Sequence, residues 1–419
     1  MGHIVPTPAG GYRANWRDAA GRQRAKTFTT KREAKAYLAE VETAISRGLY
    51  VDPHAGRIRF GAYAARWLTA RNDEITTAAR DASIMRNHVV ARWSTTPLTK
   101  IDHLAVQQWV TELGTRLSSA TVTECYRLTS AVLRTAVRDR LIGHNPCEGV
   151  RLTRRRRKDT DDQVITPQEL VTQLLPAVPD RYRALVGLAG GTGLRWGECA
   201  GLRWDAVDLA ARTVRVVRVA VEVSGHVTDK PYPKSRAGRR IVPLPGFVIE
   251  LLTEHQRRYP PGTAGLVFTS RSGAAVRRTT FRAKVWRPSL VRAGLLGKIV
   301  EVGEHTFMAH WQDGEGCEWS TEFTTGREAI EHIVRHAHGG LRFHDLRHSY
   351  ATWLVSAGVP INDVSAVMGH EQTSTTLDRY THPSQDRDQR VRSVFADFLL
   401  TLAPEQEPET GQETTDEDA

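Results

Sequence analysis

Residues 344–382 read HDLRHSYATWLVSAGVPINDVSAVMGHEQTSTTLDRYTH, and this stretch decides how the rest of the chain is read. His344 and Arg347 stand three apart at the opening of a run that reads as helix through Leu354, so both can present to one side of it. Met368-Gly369-His370 follows, then Thr375-Thr-Leu-Asp-Arg-Tyr380-Thr-His, with ten residues from His370 to Tyr380. Upstream lies Gly191-Thr-Gly-Leu-Arg195-Trp-Gly-Glu198. Between the two, Pro233-Lys234-Ser-Arg-Ala-Gly-Arg-Arg-Ile-Val-Pro-Leu reads as strand-turn-strand, with Lys234 near the turn and Lys230 as its rival. Taken singly, each has an ordinary reading: a chance His-x-x-Arg pair, a common glycine turn, a solvated lysine, a packed tyrosine.

Composition fits a soluble globular chain, with 40% hydrophobic and 25% charged residues among 419, enough for two or three domains. No apolar run reaches membrane-spanning length, and MGHIVPTPAG lacks a secretory layout. Cys125, Cys147, Cys199 and Cys317 lie far apart without a CxxC pair, which suits reduced thiols in the cytoplasm and argues against a disulfide framework. The formal charge is +11, and nine of the 58 basic residues are lysine, leaving 49 arginines. That excess suits phosphate binding, and a GC-rich genome would produce it too.

Tyr12 to Trp16 alternates as a half-buried strand, a turn falls near Gly21, and a second extended run reaches Phe28. Thr30-Lys-Arg-Glu33 then reads as a capping box, opening a helix striped by Ala34, Leu38, Val41 and Ile45. From 55 to 150 the pattern is helical: Phe60–Leu68, Ile84–Val90, Val106–Leu117 and Thr121–Asp139. Residues 151–162, RLTRRRRKDTDD, have no apolar face and read as a basic linker able to follow a DNA backbone, with Arg154, Arg155 and Arg156 as contacts. A mixed α+β region covers 163–402, with strand-like runs at Thr213–Val223 and Arg240–Leu244. An acidic, disordered tail follows at 404–419.

Residues 12–34 and 307–329 match without a gap at an offset of 295, with ten identities: Ala14/Ala309, Trp16/Trp311, Asp18/Asp313, Gly21/Gly316, Phe28/Phe323, Thr29/Thr324, Thr30/Thr325, Arg32/Arg327, Glu33/Glu328 and Ala34/Ala329. The spacing predicts a second sheet-plus-helix unit inserted at 297–340. Residues 12–41 hold eight Lys/Arg against three Asp/Glu, whereas 307–336 hold two against six. The scaffold is kept and its charge reversed. His332, His336, His338 and Cys317 are too irregularly spaced to read as a zinc site, so no metal is expected.

Jointly and in this order, the motifs of 191–382 resemble the tyrosine recombinase (phage integrase) family. The resemblance covers roughly 55–402 and implies a multidomain, mainly α chain with small sheets: a helical core-binding domain at 55–150 and a catalytic domain at 163–402. The unit at 1–50 resembles the arm-binding domain of mobile-element integrases, with Arg13, Arg17, Arg22, Arg24 and Lys26 as its DNA contacts. The resemblance implies that Arg195 and Arg347 clamp the scissile phosphate, that His344 is general base, Lys234 general acid and His370 a further hydrogen-bond donor. Tyr380 would be the covalent nucleophile, with Glu198 supporting the site. It further implies double-stranded attachment-site DNA as partner, a homotetramer on that DNA and an excision factor setting direction. No cofactor is expected, since a phosphotyrosyl bond conserves the phosphodiester's energy. The sequence carries no Walker loop, EF-hand pattern or nuclease-spaced carboxylates. A type IB topoisomerase and a catalytically inactive DNA-binding protein are the competing readings. The insert at 297–340 departs from the family pattern.

Overall fold

The computed structural model describes residues 2–18, 21–48, 50, 55–152, 163–230 and 238–369. The linker arginines Arg154, Arg155 and Arg156, the tail, Lys234, His370 and Tyr380 lie outside the described residues. Among the described residues no helix is long and apolar enough to cross a membrane.

At the N-terminus, β1 (His3–Pro6), β2 (Tyr12–Arg17) and β3 (Gln23–Phe28) form an antiparallel sheet followed by α1 (Lys31–Ser46). Thr30 and Glu33 close a reciprocal capping box at the start of α1. Ala14 and Trp16 are buried against Ala34, Leu38 and Val41, so strand alternation turns Arg13 and Arg17 to the opposite face. Strand β1 has no counterpart in the sequence reading, because four residues ending in proline carry too little alternation to register.

The helical region contains α2 (Phe60–Thr69), α3 (Ile75–Ile84), α4 (Val90–Trp93), α5 (His103–Arg116) and α6 (Ser119–Arg138). A π-helical turn, Met85–Val89, joins α3 to α4, so the helix read at 84–90 runs instead from Ile75 to Trp93. Apolar periodicity missed α3 because its anchor is polar. Asp81, fully buried, accepts hydrogen bonds from Arg71 (2.9 Å), Arg80 (2.9 Å) and Arg127 (3.0 Å). Those three guanidiniums hold its carboxyl below the usual range although burial pushes it up.

The third region opens with α7 (Pro167–Glu169), a π turn and α8 (Leu175–Ala177), then α9 (Asp180–Thr192) and α10 (Trp196–Ala200). Strands β4 (Val207–Asp208), β5 (Thr213–Val216), β6 (Val219–Val223), β7 (His226–Lys230) and β8 (Arg240–Pro243) follow. They make two sheets, β4-β5-β8 and β6-β7. One sequence reading changes here: the run 213–223 is two strands in different sheets. The strand-turn-strand read from Pro233 begins outside the described residues; its described part, β8, pairs with β5. Helices α11 (Gly246–Arg258), α12 (Arg278–Phe281) and α13 (Arg287–Arg292) complete the scaffold around one apolar core.

The inserted segment forms β9 (Lys298–Gly303), β10 (Thr306–Gln312), β11 (Glu318–Phe323) and α14 (Gly326–His336). Its strand pairs repeat those of β1–β3 at the 295 offset: Ile4↔Ala14 and Ile299↔Ala309, Tyr12↔Phe28 and Phe307↔Phe323, Arg17↔Gln23 and Gln312↔Glu318. Ring packing repeats as well. Trp16 and Phe28 flank Tyr37, and Trp311 and Phe323 flank His332. The caps differ: Thr325 accepts from Glu328 N, while the Glu328 carboxylate accepts from the Thr324 hydroxyl, so only half the expected box forms. Arg287 mounts the insert on α13 by donating to the carbonyls of Val334 (3.2 Å), Ala337 (2.8 Å) and Gly339 (3.3 Å). These include orphan acceptors at the end of α14. The last described helices are α15 (Asp345–Ser356) and α16 (Ile361–Met368).

Candidate active site

Helix α9 ends where Gly193 takes a left-handed conformation (φ 64°) and its N–H caps the Ala189 carbonyl. The chain reverses there, which puts Arg195 in extended backbone at the N-cap of α10. The Arg195 backbone N–H donates to Glu198 Oε2 (2.8 Å) and its guanidinium donates to Glu198 Oε1 (3.0 Å). A side chain on Gly197, directly before Glu198, would meet the Ala220 carbonyl at 2.5 Å, so glycine lets α10 lie against β6.

Glu198 is 3% exposed, and its carboxylate is filled on both oxygens. Besides Arg195, it receives a forked pair from Arg240, at 3.1 Å to Oε1 and 2.9 Å to Oε2. Burial pushes its carboxyl up, but the Arg240 bonds and the charges of Arg240 and Arg195 outweigh this and hold it below the usual range. Glu198 stands in a short sequence motif, whereas Arg240 carries no such signal. Nothing in Gly238-Arg239-Arg240 distinguishes which arginine turns inward until β8 is aligned with β5.

Arg347, on the first turn of α15, is 3% exposed. It donates to the Gly193 carbonyl (2.6 Å) and to the Met368 carbonyl. Arg195 donates to the next carbonyl, Gly369 (3.3 Å), and Arg240 Nε to the preceding one, Val367 (2.6 Å). Three consecutive carbonyls at the C-terminal end of α16 thus accept from three different arginines. That end carries the negative pole of the helix and would otherwise leave these acceptors unmet. The structure therefore brings Arg195, Arg347 and Glu198 together from α9–α10, α15 and their neighbours.

His344 sits at the N-cap of α15, exposed, its ring edge-on to buried His348 at 4.9 Å. Its neighbours are fixed firmly. Asp345 accepts from the Arg342 backbone (2.7 Å) and from its guanidinium, and Phe343 enters a cluster with Trp196, Phe281 and Trp286. Because Trp196 follows Arg195 and Phe343 precedes His344, that cluster sets the spacing of these two segments. Trp286 Nε1 donates to the Leu341 carbonyl (2.7 Å), tying the same segment to the scaffold. Lys230 ends β7; Lys234 falls outside the described residues.

The five residues expected to contact DNA in the N-terminal unit do not share one face. Arg13 and Arg17 point away from α1, whereas Arg22 and Arg24 pair with buried Asp18 at 3.1 and 3.2 Å. Lys26 lies over the Tyr37 ring at 4.4 Å.

A profile described as the phage integrase family matches residues 163–302 and 322–387, skipping 303–321, which hold β10, the turn after it and most of β11. A prophage phiRv2 integrase of Mycobacterium tuberculosis is 29% identical, covering 97% of this chain and 97% of that protein. A XerC-like tyrosine recombinase of Caldanaerobacter subterraneus is 25% identical over 87% of this chain and 90% of that protein. The Tn1549 transposon integrase, solved in complex with transposon right end DNA, superposes with TM-score 0.58 at 18% identity, covering 81% of this chain and 100% of that one. A lambda integrase dimer bound to a COC′ core site gives 0.51 at 14% identity, covering 93% and 95%. At these identities the structural likeness is one of fold.

Proposed function

The chain belongs to the phage integrase family of tyrosine recombinases, and from that membership we propose that it is a site-specific integrase using Tyr380 as covalent nucleophile. The observation that carries the reading is the meeting of Arg195 and Arg347 at adjacent carbonyls of α16, immediately before His370. Two guanidiniums so placed can clamp the non-bridging oxygens of one phosphate as charge builds on them. Arg195, 40% exposed at its side chain, is the one already open to solvent.

In the proposed reaction the Tyr380 oxygen attacks phosphorus, the bond to the 5′ oxygen breaks, and a 3′-phosphotyrosyl linkage forms. A tyrosine hydroxyl, ordinarily of pKa about 10, needs a base to accept its proton, and His344 takes that role. Lys234 returns a proton to the leaving oxygen, and His370 donates a hydrogen bond to the phosphate. Religation reverses the step on a new 5′ hydroxyl, so the phosphodiester's energy is conserved. We place the reaction in the cytoplasm, on attachment-site DNA, within a homotetramer passing through a Holliday junction, with an excision factor setting direction. Arg13 and Arg17 contact arm-type DNA, and Arg154, Arg155 and Arg156 follow the backbone between the core-binding and catalytic domains. Relatives named as integrases across nearly their whole length support this over a type IB topoisomerase.

The test is a nicked suicide substrate carrying a candidate attachment core. A covalent protein–DNA adduct that disappears in Tyr380→Phe supports the reading. DNA binding without any adduct would favour an inactive DNA-binding protein, and relaxation of supercoils without strand exchange would favour the topoisomerase.

A further inference from the structure

We infer that Arg240 is a positioning residue for strand cleavage, holding Glu198 against the end of α16 and so fixing the direction in which Arg195 presents its guanidinium. The inference rests on the reading of Arg195 as a phosphate clamp.

Arg240 and Arg195 share the same carboxylate but differ in what they have left to give. Arg240 uses four of its five N–H donors on protein acceptors: two on Glu198, one on the Val367 carbonyl and one on the Gly238 carbonyl. Its side chain is 6% exposed. A group so committed has almost nothing to offer a phosphate. Arg195 places two guanidinium donors, on Glu198 and Gly369, and keeps the remainder on an exposed surface. The two arginines therefore divide the work, one binding inward and one facing out.

Removing Arg240 would leave Glu198 buried with half of its four hydrogen bonds unmet, a condition that drives a carboxylate to rotate, hydrate or take up a proton. Each of those changes alters the oxygen that Arg195 grips. Arg240 also holds Val367 at 2.6 Å, one residue before the Met368 carbonyl that orients Arg347 and two before the Gly369 carbonyl that orients Arg195. The same guanidinium thus braces both supports of Arg195. A lysine in its place would keep the charge and lose the fork, because an ammonium cannot bridge two carboxylate oxygens and a carbonyl in one plane.

The experiment uses the full chain and single-turnover cleavage of the nicked substrate, with DNA affinity and urea unfolding measured alongside. Wild type must first form the adduct; if it does not, the proposed function fails and Arg240 is not at issue. With wild type active, Arg240→Lys should remain folded and bind DNA within about threefold of wild type, while cleavage falls about 100-fold, the scale of losing one transition-state donor. The decisive comparison places the change in an Arg195→Ala background. A residue acting through Arg195 should cost little further there, whereas independent effects would multiply. Cleavage by Arg240→Lys within about threefold of wild type would overturn the inference. So would an equal loss in both backgrounds, or unfolding of Arg240→Lys under assay conditions, since either would make Arg240 a purely structural contact.

Discussion

Replacing Gly193 with alanine should damage both stability and cleavage, for reasons that can be sized separately. At φ 64° an alanine pays about 1 kcal/mol or more for the left-handed conformation that glycine adopts freely. Its Cβ would stand 2.5 Å from Tyr350 Cδ1 and 3.0 Å from Met368 Sδ. The methionine can swing aside, but the Tyr350 ring is buried on α15 and has no room to retreat, so overpacking adds about 1–3 kcal/mol. A loss of about 2–4 kcal/mol in urea unfolding, as a lower midpoint at unchanged slope, is expected. The Gly193 carbonyl also accepts from Arg347 at 2.6 Å, so relief of the clash by backbone movement shifts that guanidinium. Cleavage should therefore fall even well below the unfolding transition. Gly262→Ala, where an added Cβ meets nothing within 4 Å, is the control and should stay within about 0.5 kcal/mol. A Gly193→Ala loss under about 1 kcal/mol with unchanged cleavage would refute the reasoning, because it would mean that the turn neither confines Tyr350 nor sets Arg347.

Arg195→Ala or Arg347→Ala should cost on the order of 3–5 kcal/mol of transition-state stabilisation, read as single-turnover cleavage; a mild loss would point to a different arginine. Deleting residues 1–50 should leave core-site cleavage intact and weaken binding to arm-bearing DNA, a contact that falls steeply with salt; equal arm-site affinity in the truncated protein would refute it. Because the folded-state pKa of Glu198 lies below the ordinary 4.5, the unfolded chain takes up this proton first, so its contribution is whole above that pH and is lost as pH falls through the folded value. Acid unfolding curves should show this slope below about pH 4.5, and Glu198→Gln should flatten it.

The proposed site was legible in the sequence because Arg195, Glu198, His344 and Arg347 lie in short motifs whose spacing is local. Arg240 was illegible for the opposite reason. Its role depends on the β5–β8 pairing and on carbonyls more than a hundred residues away, and neither leaves a pattern around residue 240. Helix α3 failed to register on similar grounds. Its anchor is one buried aspartate with arginines drawn from separate segments, so periodicity of apolar residues had little to report. The basic residues of the first unit show a third limit. The sequence does not tell Arg22 and Arg24, which both pair with buried Asp18, from the outward-facing Arg13 and Arg17.

The two sheet-plus-helix units separate what makes this scaffold fold from what charges its surface. Asp18 and Asp313 do the same structural work: each accepts its turn's backbone N–H groups, and each turn closes through a glycine at positive φ. What differs is the strand partner. Asp18 engages the Arg24 guanidinium, whereas Asp313 accepts from Trp319 Nε1 at 2.8 Å. The outward pair Arg13 and Arg17 becomes Met308 and Gln312, opposite Glu322 and Glu318. Cross-strand register and core packing survive these replacements because outward positions contribute little to either. The acidic second unit would repel a duplex backbone, and its field favours basic protein surfaces. Arg287 ties the C-terminal end of α14, eight residues before His344, to α13, so the acidic unit is held to the scaffold by hydrogen bonds as well as by the chain.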